Sequence, residues 1–476
     1  MQLSSDMRKL CSENDIPIFF IILAAVFMSK FSTLSTPYYW DEAGWVRAAH
    51  WLSGVNLLRS IPGFHPPATF WGHPPALHLT LASLNKLIGE SIWLSHLLIL
   101  CFSFLGAYFT YLLGTFLYGR RVGIFTALFL FFSAIYFAQS GMFLGDIPVT
   151  ALGVMSIYFA LRKKYIPYLL CAVYMIMIKE TAIAIVFSLL IYLFLTERNK
   201  SKSVFEEILK YSVPLVIILA FVILQKITTG KFCCIYPFKF ELFELQPRLV
   251  IHQSFLISKW LFFYQYRYIF TFLIVLNLII NKASRSRKEL LLFLPMFIFS
   301  GYSFSFLYFL PRYLLPALPY FYIMGAWSLV ELIKSRRLQT VMVMIITAVL
   351  IYSLSGSVFH GNSEWNMKYL DVVKMHKTMC EHIENEFPNA RVLTIFPHTE
   401  QLRRPYLGYV KKPLKVIHFK GEKVFGDFDL ILFSIPSDND KRDMLRDYAL
   451  RKNLYLIKRL EKDKIISELY TSMQLK

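Results

Sequence analysis

Charged residues are scarce in this chain of 476 residues, of which they make up only 17%. Soluble domains carry about 25%, so an ordinary soluble enzyme is excluded. Cysteine is also rare, with six residues in the whole chain, which excludes a small scaffold held together by disulfides. The chain lacks a glycine-rich phosphate loop, and therefore no nucleotide cofactor is expected.

What the sequence has in abundance is apolar surface, because 56% of the residues are hydrophobic and 17% are aromatic. Long apolar runs of this kind are typical of a polytopic membrane protein. The net charge of +20 does not indicate nucleic-acid binding, since the basic residues lie in short clusters between apolar runs.

The apolar runs predict a polytopic α-helical membrane protein with about eleven transmembrane helices. The predicted spans cover residues 16–34, 92–117, 122–138, 147–161, 165–178, 181–195, 210–226, 266–280, 290–309, 313–332 and 338–356.

Basic residues between these spans predict the orientation, because short cytoplasmic loops are rich in Lys and Arg. The basic loops lie at 119–121, 162–164, 197–202, 282–288 and 334–337. They place the N-terminus in the cytoplasm and leave segments 35–91, 227–265 and 357–476 outside. The first span lacks a small-residue cleavage site and is expected to remain as an anchor. The outer segments contain no Asn-x-Ser/Thr sequon, which favours a bacterial or archaeal plasma membrane.

The C-terminal tail differs in composition from the rest of the chain. Its short apolar runs at 391–396, 429–433 and 454–457 alternate with helix-like stretches at 368–386 and 438–452. This alternation predicts a small extracytoplasmic α/β domain, residues 357–476, with a mostly parallel sheet, beside a membrane domain of residues 1–356.

Ionisable residues beside membrane spans are expensive and therefore indicate function. Six such residues lie at four places on the outer face: Asp41 with Glu42, Asp146, Lys179 with Glu180, and Arg312. Bases on this face can hold a lipid phosphate, and a carboxylate beside them can act as a general base. The alternatives are that the acids cap helices and that the bases reach along the membrane interface.

The outer segment 35–91 also contains two His-Pro-Pro sequences, at His65 and His73. Together with His252 of the second outer segment, these histidines are candidates for a divalent metal site, although their spacing matches no closed zinc pattern. Cys233, Cys234 and Cys380 are all expected on the outer face of the membrane. A disulfide from Cys233 or Cys234 to Cys380 is one further interpretation.

Several short motifs follow one another in a fixed order along residues 35–325. They are Tyr-Trp-Asp-Glu-Ala at 39–43, His-Pro-Pro at 73–75, Gly-Asp-Ile-Pro-Val-Thr at 145–150, Lys-Glu-Thr-Ala at 179–182 and Arg-Tyr-Leu-Leu-Pro-Ala-Leu-Pro at 312–319. The series resembles the GT-C class of membrane glycosyltransferases, and within it the protein O-mannosyltransferase and aminoarabinose (lipid A) transferase branch.

The resemblance implies a donor sugar linked to polyprenyl phosphate and its transfer to an extracytoplasmic lipid, glycan or protein hydroxyl. It implies that Asp41 is the general base, that Asp146 is the second functional carboxylate with Glu42 beside the base, and that Lys179 and Arg312, with the adjacent Tyr313, hold the donor phosphate. The aminoarabinose enzymes have Glu-Lys before the diproline, where this chain has Gly72-His73. His73 is then the residue expected to replace that phosphate contact.

Two other functions remain open at this stage. A transporter or lipid-linked glycan flippase has the same composition, but such folds usually contain internal repeats and none is evident here. A glycan polymer ligase shares the lipid phosphate chemistry and differs in the length of its donor.

Overall fold

The computed structural model of the protein describes residues 15–55, 73–197, 201–229, 247–281, 287–303, 309–356, 364–419, 427–435, 440–462 and 465–471. Cys233, Cys234 and His65 lie outside these residues.

Helices dominate the described chain up to residue 354. They are α1 (Ile16–Lys30), α2 (Glu42–Ser53), α3 (Ala76–Ile88), α4 (Ile92–Tyr118), α5 (Arg120–Phe131), α6 (Ala134–Gln139), α7 (Asp146–Leu161), α8 (Tyr165–Ile176), α9 (Ile183–Glu197), α10 (Ser201–Thr229), α11 (Pro247–Phe262), α12 (Arg267–Ile280), α13 (Arg287–Ser303), α14 (Leu318–Leu332) and α15 (Arg336–Leu354). Short 3-10 helices at Glu180–Ala182 and Pro311–Ala317 precede α9 and α14.

A helix lies at each of the eleven predicted spans. Two spans are less regular than expected, because 122–138 breaks into α5 and α6, and 313–332 begins as a 3-10 helix. Among the described residues, five helices are long and apolar enough to cross a membrane and four shorter apolar helices accompany them. The protein is therefore a multi-pass membrane protein, while the number of eleven crossings stays a prediction.

The long helices divide into an inner and an outer set. In α4 and in Pro311–Leu332, 72% and 83% of the apolar window is buried, against 17% in α10 and 28% in α15. The outer set therefore presents its apolar side chains to the surroundings, as helices in contact with lipid do, because lipid does not penalise apolar exposure.

Glycines allow α4 and α5 to pack at close range. A Cβ on Gly123 would lie 2.5 Å from the backbone oxygen of Tyr111, and one on Gly114 would lie 3.1 Å from the Cα of Gly123. Small residues at such a contact let two membrane helices approach backbone to backbone. This hairpin fixes the position of α7, which packs on α4.

The C-terminal unit contains helices α16 (Tyr369–Glu386), α17 (His398–Arg403) and α18 (Asp440–Arg451) and strands β1 (Arg391–Thr394), β2 (Lys415–His418), β3 (Leu430–Ile435), β4 (Tyr455–Lys462) and β5 (Ile465–Thr471). The sheet order is β2-β1-β3-β5-β4.

The α/β class of this unit is as predicted, but the expectation of a mostly parallel sheet is wrong. β1 pairs in parallel with β2 and β3, whereas β5 is antiparallel to both β3 and β4. The difference arises because β4 and β5 form a terminal hairpin. A tight hairpin needs no crossover helix, and Ser467 and Glu468 interrupt the apolar residues of β5, so no continuous apolar run marks this strand.

The C-terminal unit packs directly on the outer segment that carries Asp41. Tyr38 N donates to Leu407 O at 3.2 Å, and the Tyr409 hydroxyl donates to Tyr38 O at 3.1 Å. Gly408, at a φ of +89°, lets its turn approach Pro37 closely, since a Cβ there would lie 3.3 Å from the Pro37 Cα. One buried core runs through both parts of the chain. Cys380 belongs to this core and is a free cysteine, so the suggested bond to it is not formed.

Candidate active site

The guanidinium of Arg312 is the centre of a buried charge cluster. Its Nη2 lies 2.5 Å from Asp41 Oδ2, its Nε lies 3.4 Å from Asp146 Oδ2, and its Nη1 donates to Glu364 Oε2. Arg312 is held there by the 3-10 helix Pro311–Ala317, which packs on α7. Three carboxylates from distant parts of the sequence thus converge on one base.

A second cationic side chain, that of Lys179, completes the cluster. Lys179 Nζ donates to Asp146 Oδ1 at 2.6 Å, and the same ammonium lies 4.6 Å from the ring centre of Tyr313. The Arg312 guanidinium lies 5.6 Å from that ring. Four residues that the sequence predicted separately, and the predicted Tyr313, therefore occupy one site.

Neither aspartate behaves as a helix cap. Asp41 occupies the N-cap position of α2 and makes no side-chain capping bond, and Asp146 is the first residue of α7 with its carboxylate turned to Lys179 and Arg312. Negative charge near a helix N-terminus is favourable in itself. The two carboxylates therefore bind Lys179 and Arg312 and do not cap the helix N-termini.

The three acidic side chains differ in their exposure to solvent. The side chain of Asp41 is 17% exposed, against 5% for Asp146 and 2% for Glu364. Asp41 is thus the carboxylate in this cluster that a molecule arriving from outside can reach most readily.

Glu364 is the member of the cluster that the sequence analysis missed. Its backbone is fixed by Gln139, whose Nε2 donates to Glu364 O at 2.9 Å. Burial raises the pKa of Glu364 to about 7, against the opposing effect of Arg312. Its Oε1 is buried without a hydrogen-bond partner. A signal was present in the sequence, since Glu364 is the first acid after the last apolar run, on the predicted outer face.

Glu42 lies in a separate network. Its two carboxylate oxygens accept the backbone N–H groups of Tyr39 at 2.7 Å and Phe143 at 2.6 Å, and His96 Nε2 lies 3.1 Å away. The side chain is almost completely buried, at 2% exposure. These contacts join α2, α4 and the segment before α7, and the catalytic role expected for Glu42 stays a prediction.

His73 lies beside the cluster, not in contact with its charges. Its Nδ1 lies 2.9 Å from Glu180 Oε2, and its ring stacks on Trp45 with 5.2 Å between centroids. Trp45 in turn packs on Gly145, where a Cβ would lie only 2.7 Å from the indole. Glu180 and Trp45 thus hold His73 in place, and its contact with a donor phosphate stays a prediction.

The candidate metal ligands do not converge within the described chain. No group of three or more His, Cys, Asp or Glu residues among the described positions is arranged to hold a metal ion. His73 is paired with Glu180, and His252 is exposed on α11. Because His65 lies outside the described residues, the metal set stays a prediction and no step of the chemistry is assigned to a metal.

Comparison with known proteins found a family match and two similar solved structures. Residues 72–225 match the family described as dolichyl-phosphate-mannose-protein mannosyltransferase. The crystal structure of ArnT from Cupriavidus metallidurans in the apo state superposes with a TM-score of 0.60 over 95% of this chain and 97% of that one, at 14% identity. The chain has a GT-C glycosyltransferase fold.

The structure of the same ArnT bound to undecaprenyl phosphate matches with a TM-score of 0.58 over 96% of this chain and 98% of that one, also at 14% identity. No curated protein sequence matches the chain. The GT-C resemblance drawn from the ordered motifs is confirmed, and it extends past residue 325 because the solved structures align with the C-terminal unit as well.

Proposed function

We propose that the protein transfers a sugar from a polyprenyl-phosphate-linked donor to an extracytoplasmic acceptor hydroxyl. The observation that carries this proposal is the buried cluster of two bases and three acids, in which one acid is accessible. The GT-C fold supports it, and so does the solved ArnT relative that binds undecaprenyl phosphate.

Asp41 is the general base in this proposal. Its carboxylate takes the proton of the acceptor hydroxyl while the acceptor oxygen attacks the anomeric carbon of the donor. The bond between that carbon and the phosphate oxygen breaks in the same step, and the configuration at the carbon inverts. A positioned base of this kind contributes about 10²–10⁴-fold in rate.

Lys179 and Arg312 stabilise the phosphate that leaves with the lipid. Charge develops on the departing oxygen in the transition state, where fixed cations in a site of low polarity act strongly. Both cations are already paired with acids, so the donor phosphate must share them with Asp146 and Glu364.

The charges of the cluster explain how such sharing is achieved. Asp41, Asp146 and Glu364 together exceed Lys179 and Arg312 by one negative charge if every group is ionised. A proton on Glu364, whose pKa is raised to about 7 by burial, makes the cluster neutral. Neutral Glu364 holds Arg312 less tightly, which favours the approach of an anionic phosphate.

Release of the lipid carrier tests this function. The purified protein in lipid nanodiscs is incubated with radiolabelled polyprenyl-phosphate sugars and an extract of envelope acceptors, and free polyprenyl phosphate is measured. The proposal predicts carrier release that depends on added acceptor. Movement of intact donor across the membrane without carrier release would instead show a flippase.

A further inference from the structure

A pocket of about 630 Å³ lies outside the charge cluster, on the same side of the molecule. Its walls come from the turn between α11 and α12, from the end of α15 and from residues 365–368. Ligand pockets commonly measure about 300–1,000 Å³ and combine aromatic walls with a few polar groups.

Aromatic rings line this pocket. The rings of Trp260 and Tyr264 stack at 4.3 Å with an angle of 14° between their planes, and Trp365 packs edge-on against Trp260 at 5.4 Å. Such flat, rigid faces suit a partner that presents C–H groups on one side and hydroxyls around its rim, which describes a sugar ring. Asn366 and Ser353 provide amide and hydroxyl groups in the same lining.

The backbone of the turn is strained to keep the aromatic residues in place. Gln265 and Tyr266 have φ angles of +55° and +63°, a left-handed conformation that is unfavourable for side chains other than glycine. Gln265 secures the turn because its Nε2 donates to Trp365 O at 2.8 Å, and Arg267 Nη2 donates to its Oε1 at 3.0 Å. Strain that the surroundings maintain in this way is concentrated at functional sites.

The charged side chains in the described lining of the pocket are all basic. Lys259 and Lys368 line it, and its described lining contains no acidic residue. Lys259 lies at the exposed rim, with its ammonium 5.2 Å from the ring centre of Tyr264. An occupant with negative charge therefore complements the pocket.

The pocket is joined to the charge cluster through a single peptide bond. Trp365 follows Glu364, whose carboxylate is bound to Arg312, and Arg312 contacts Asp41. A molecule bound against Trp365 is thus one residue along the chain from a carboxylate of the cluster.

We infer that this pocket is the acceptor subsite and that it binds a saccharide carrying an anionic group, such as a carboxylate or phosphate. The inference rests on the proposed function, since it supplies the second substrate of that reaction. Aromatic residues also gather at membrane interfaces as outward-facing anchors. The concave wall, the stacked pair and the two lysines distinguish this set from such a belt.

Binding to immobilised saccharides tests the inference separately from transfer. The full-length protein in nanodiscs is applied to an array of oligosaccharides that carry carboxylate or phosphate groups, each beside its neutral parent. Preference for acidic members is expected. Lys259→Gln, an exposed change, should weaken that binding up to about fivefold, and Trp260→Leu should weaken it about two- to tenfold.

Matched controls use the same residue types elsewhere. Lys334→Gln and Trp93→Leu change exposed side chains outside the pocket and should bind as the unaltered protein does. Carrier release is measured on the same samples, so a failure of transfer with the preference for acidic saccharides intact overturns the proposed function and not the subsite. Absence of saccharide binding, equal binding of neutral parents, or binding unaffected by both pocket variants would overturn the inference.

Discussion

Arg312 contacts three carboxylates, from Asp41, Asp146 and Glu364. A cation with one acid would be a simple ion pair, whereas a cation among three can change partners without leaving its position. Buried charges are retained where both partners are needed, because removing one leaves the other uncompensated. The proposed function uses this exchange of partners to admit the donor phosphate.

Glu364→Gln is predicted to change how stability depends on pH. Burial raises the pKa of Glu364 from 4.5 to about 7, so the folded protein binds more protons than the unfolded chain between these values. Stability contributed by this residue is present at low pH and is lost as pH rises through that window. The groups that face it are Arg312, Asp41, Asp146 and Tyr313.

The measurement is the melting temperature in detergent from pH 4.5 to 8 for both proteins. The melting temperature of Glu364→Gln should rise relative to that of the unaltered protein as pH rises. Subtracting one melting curve from the other removes the effect of the other titrating groups. Parallel curves would show that Glu364 does not titrate in this range.

Lys179 is predicted to contribute to donor binding through charge. Hydrogen bonds to charged groups contribute about 1.5–3 kcal/mol, so Lys179→Gln should weaken undecaprenyl phosphate binding about 10- to 100-fold. The double variant Lys179→Gln, Asp146→Asn restores neutral pairing and should recover stability without recovering affinity. Calorimetric titration measures the affinity and thermal unfolding measures the stability, with the exposed Lys334→Gln as control. Equal affinity in the unaltered protein and Lys179→Gln would remove Lys179 from the donor site.

Sequence reasoning at the residue scale found Asp41, Asp146, Lys179 and Arg312 because charges are rare beside apolar runs. It could not show that they meet, since their separation along the chain reaches 271 residues. Glu364 was not predicted because it lies in a charged C-terminal tail, where a single acid does not stand out. The contacts of Glu42 were not predicted, because an acid adjacent to Asp41 gives no sign of the backbone groups that it will meet.

At the scale of elements, Glu42 determines how three segments align. Glu42→Ala removes the acceptor for two buried backbone N–H groups and for His96, so stability should fall by about 3–5 kcal/mol. Asp41→Asn, at the neighbouring position, should change the melting temperature little because its side chain is partly exposed and the amide still accepts from Arg312. Thermal unfolding of the two variants separates the structural acid from the catalytic one. A larger loss in Asp41→Asn than in Glu42→Ala would reverse these assignments.

Helix positions were predictable because hydropathy over a span depends on composition and not on contacts. The breaks in 122–138 and at Pro311–Ala317 were not, since local packing decides whether an apolar run continues as one helix. Strands β2 and β5 were missed because β2 has only two apolar residues, Val416 and Ile417, and Ser467 and Glu468 interrupt the apolar residues of β5.

The whole molecule joins a membrane part and a C-terminal unit through one buried core, and the charge cluster lies where they meet. This arrangement requires the cluster, the aromatic pocket and the C-terminal unit to lie on one side of the membrane. The alternating basic loops predict that this side is outer.

Fusion reporters test the orientation. A reporter attached after Lys476 should be extracytoplasmic, and one inserted at Lys200, within a basic loop, should be cytoplasmic. Both should be read with a reporter active only in the cytoplasm and with one active only outside it. Placement of both fusions on the same side would exclude the predicted topology.

The proposed chemistry depends most directly on Asp41 as the general base. The decisive measurement is the turnover of Asp41→Asn in the carrier-release assay, at saturating donor, beside undecaprenyl phosphate binding by the same sample. Because the amide keeps the shape but loses the basicity, turnover should fall by about 10²-fold or more while lipid binding stays near normal. Turnover above about a tenth of the unaltered rate, in a sample that binds the lipid normally, would contradict a general base at this position.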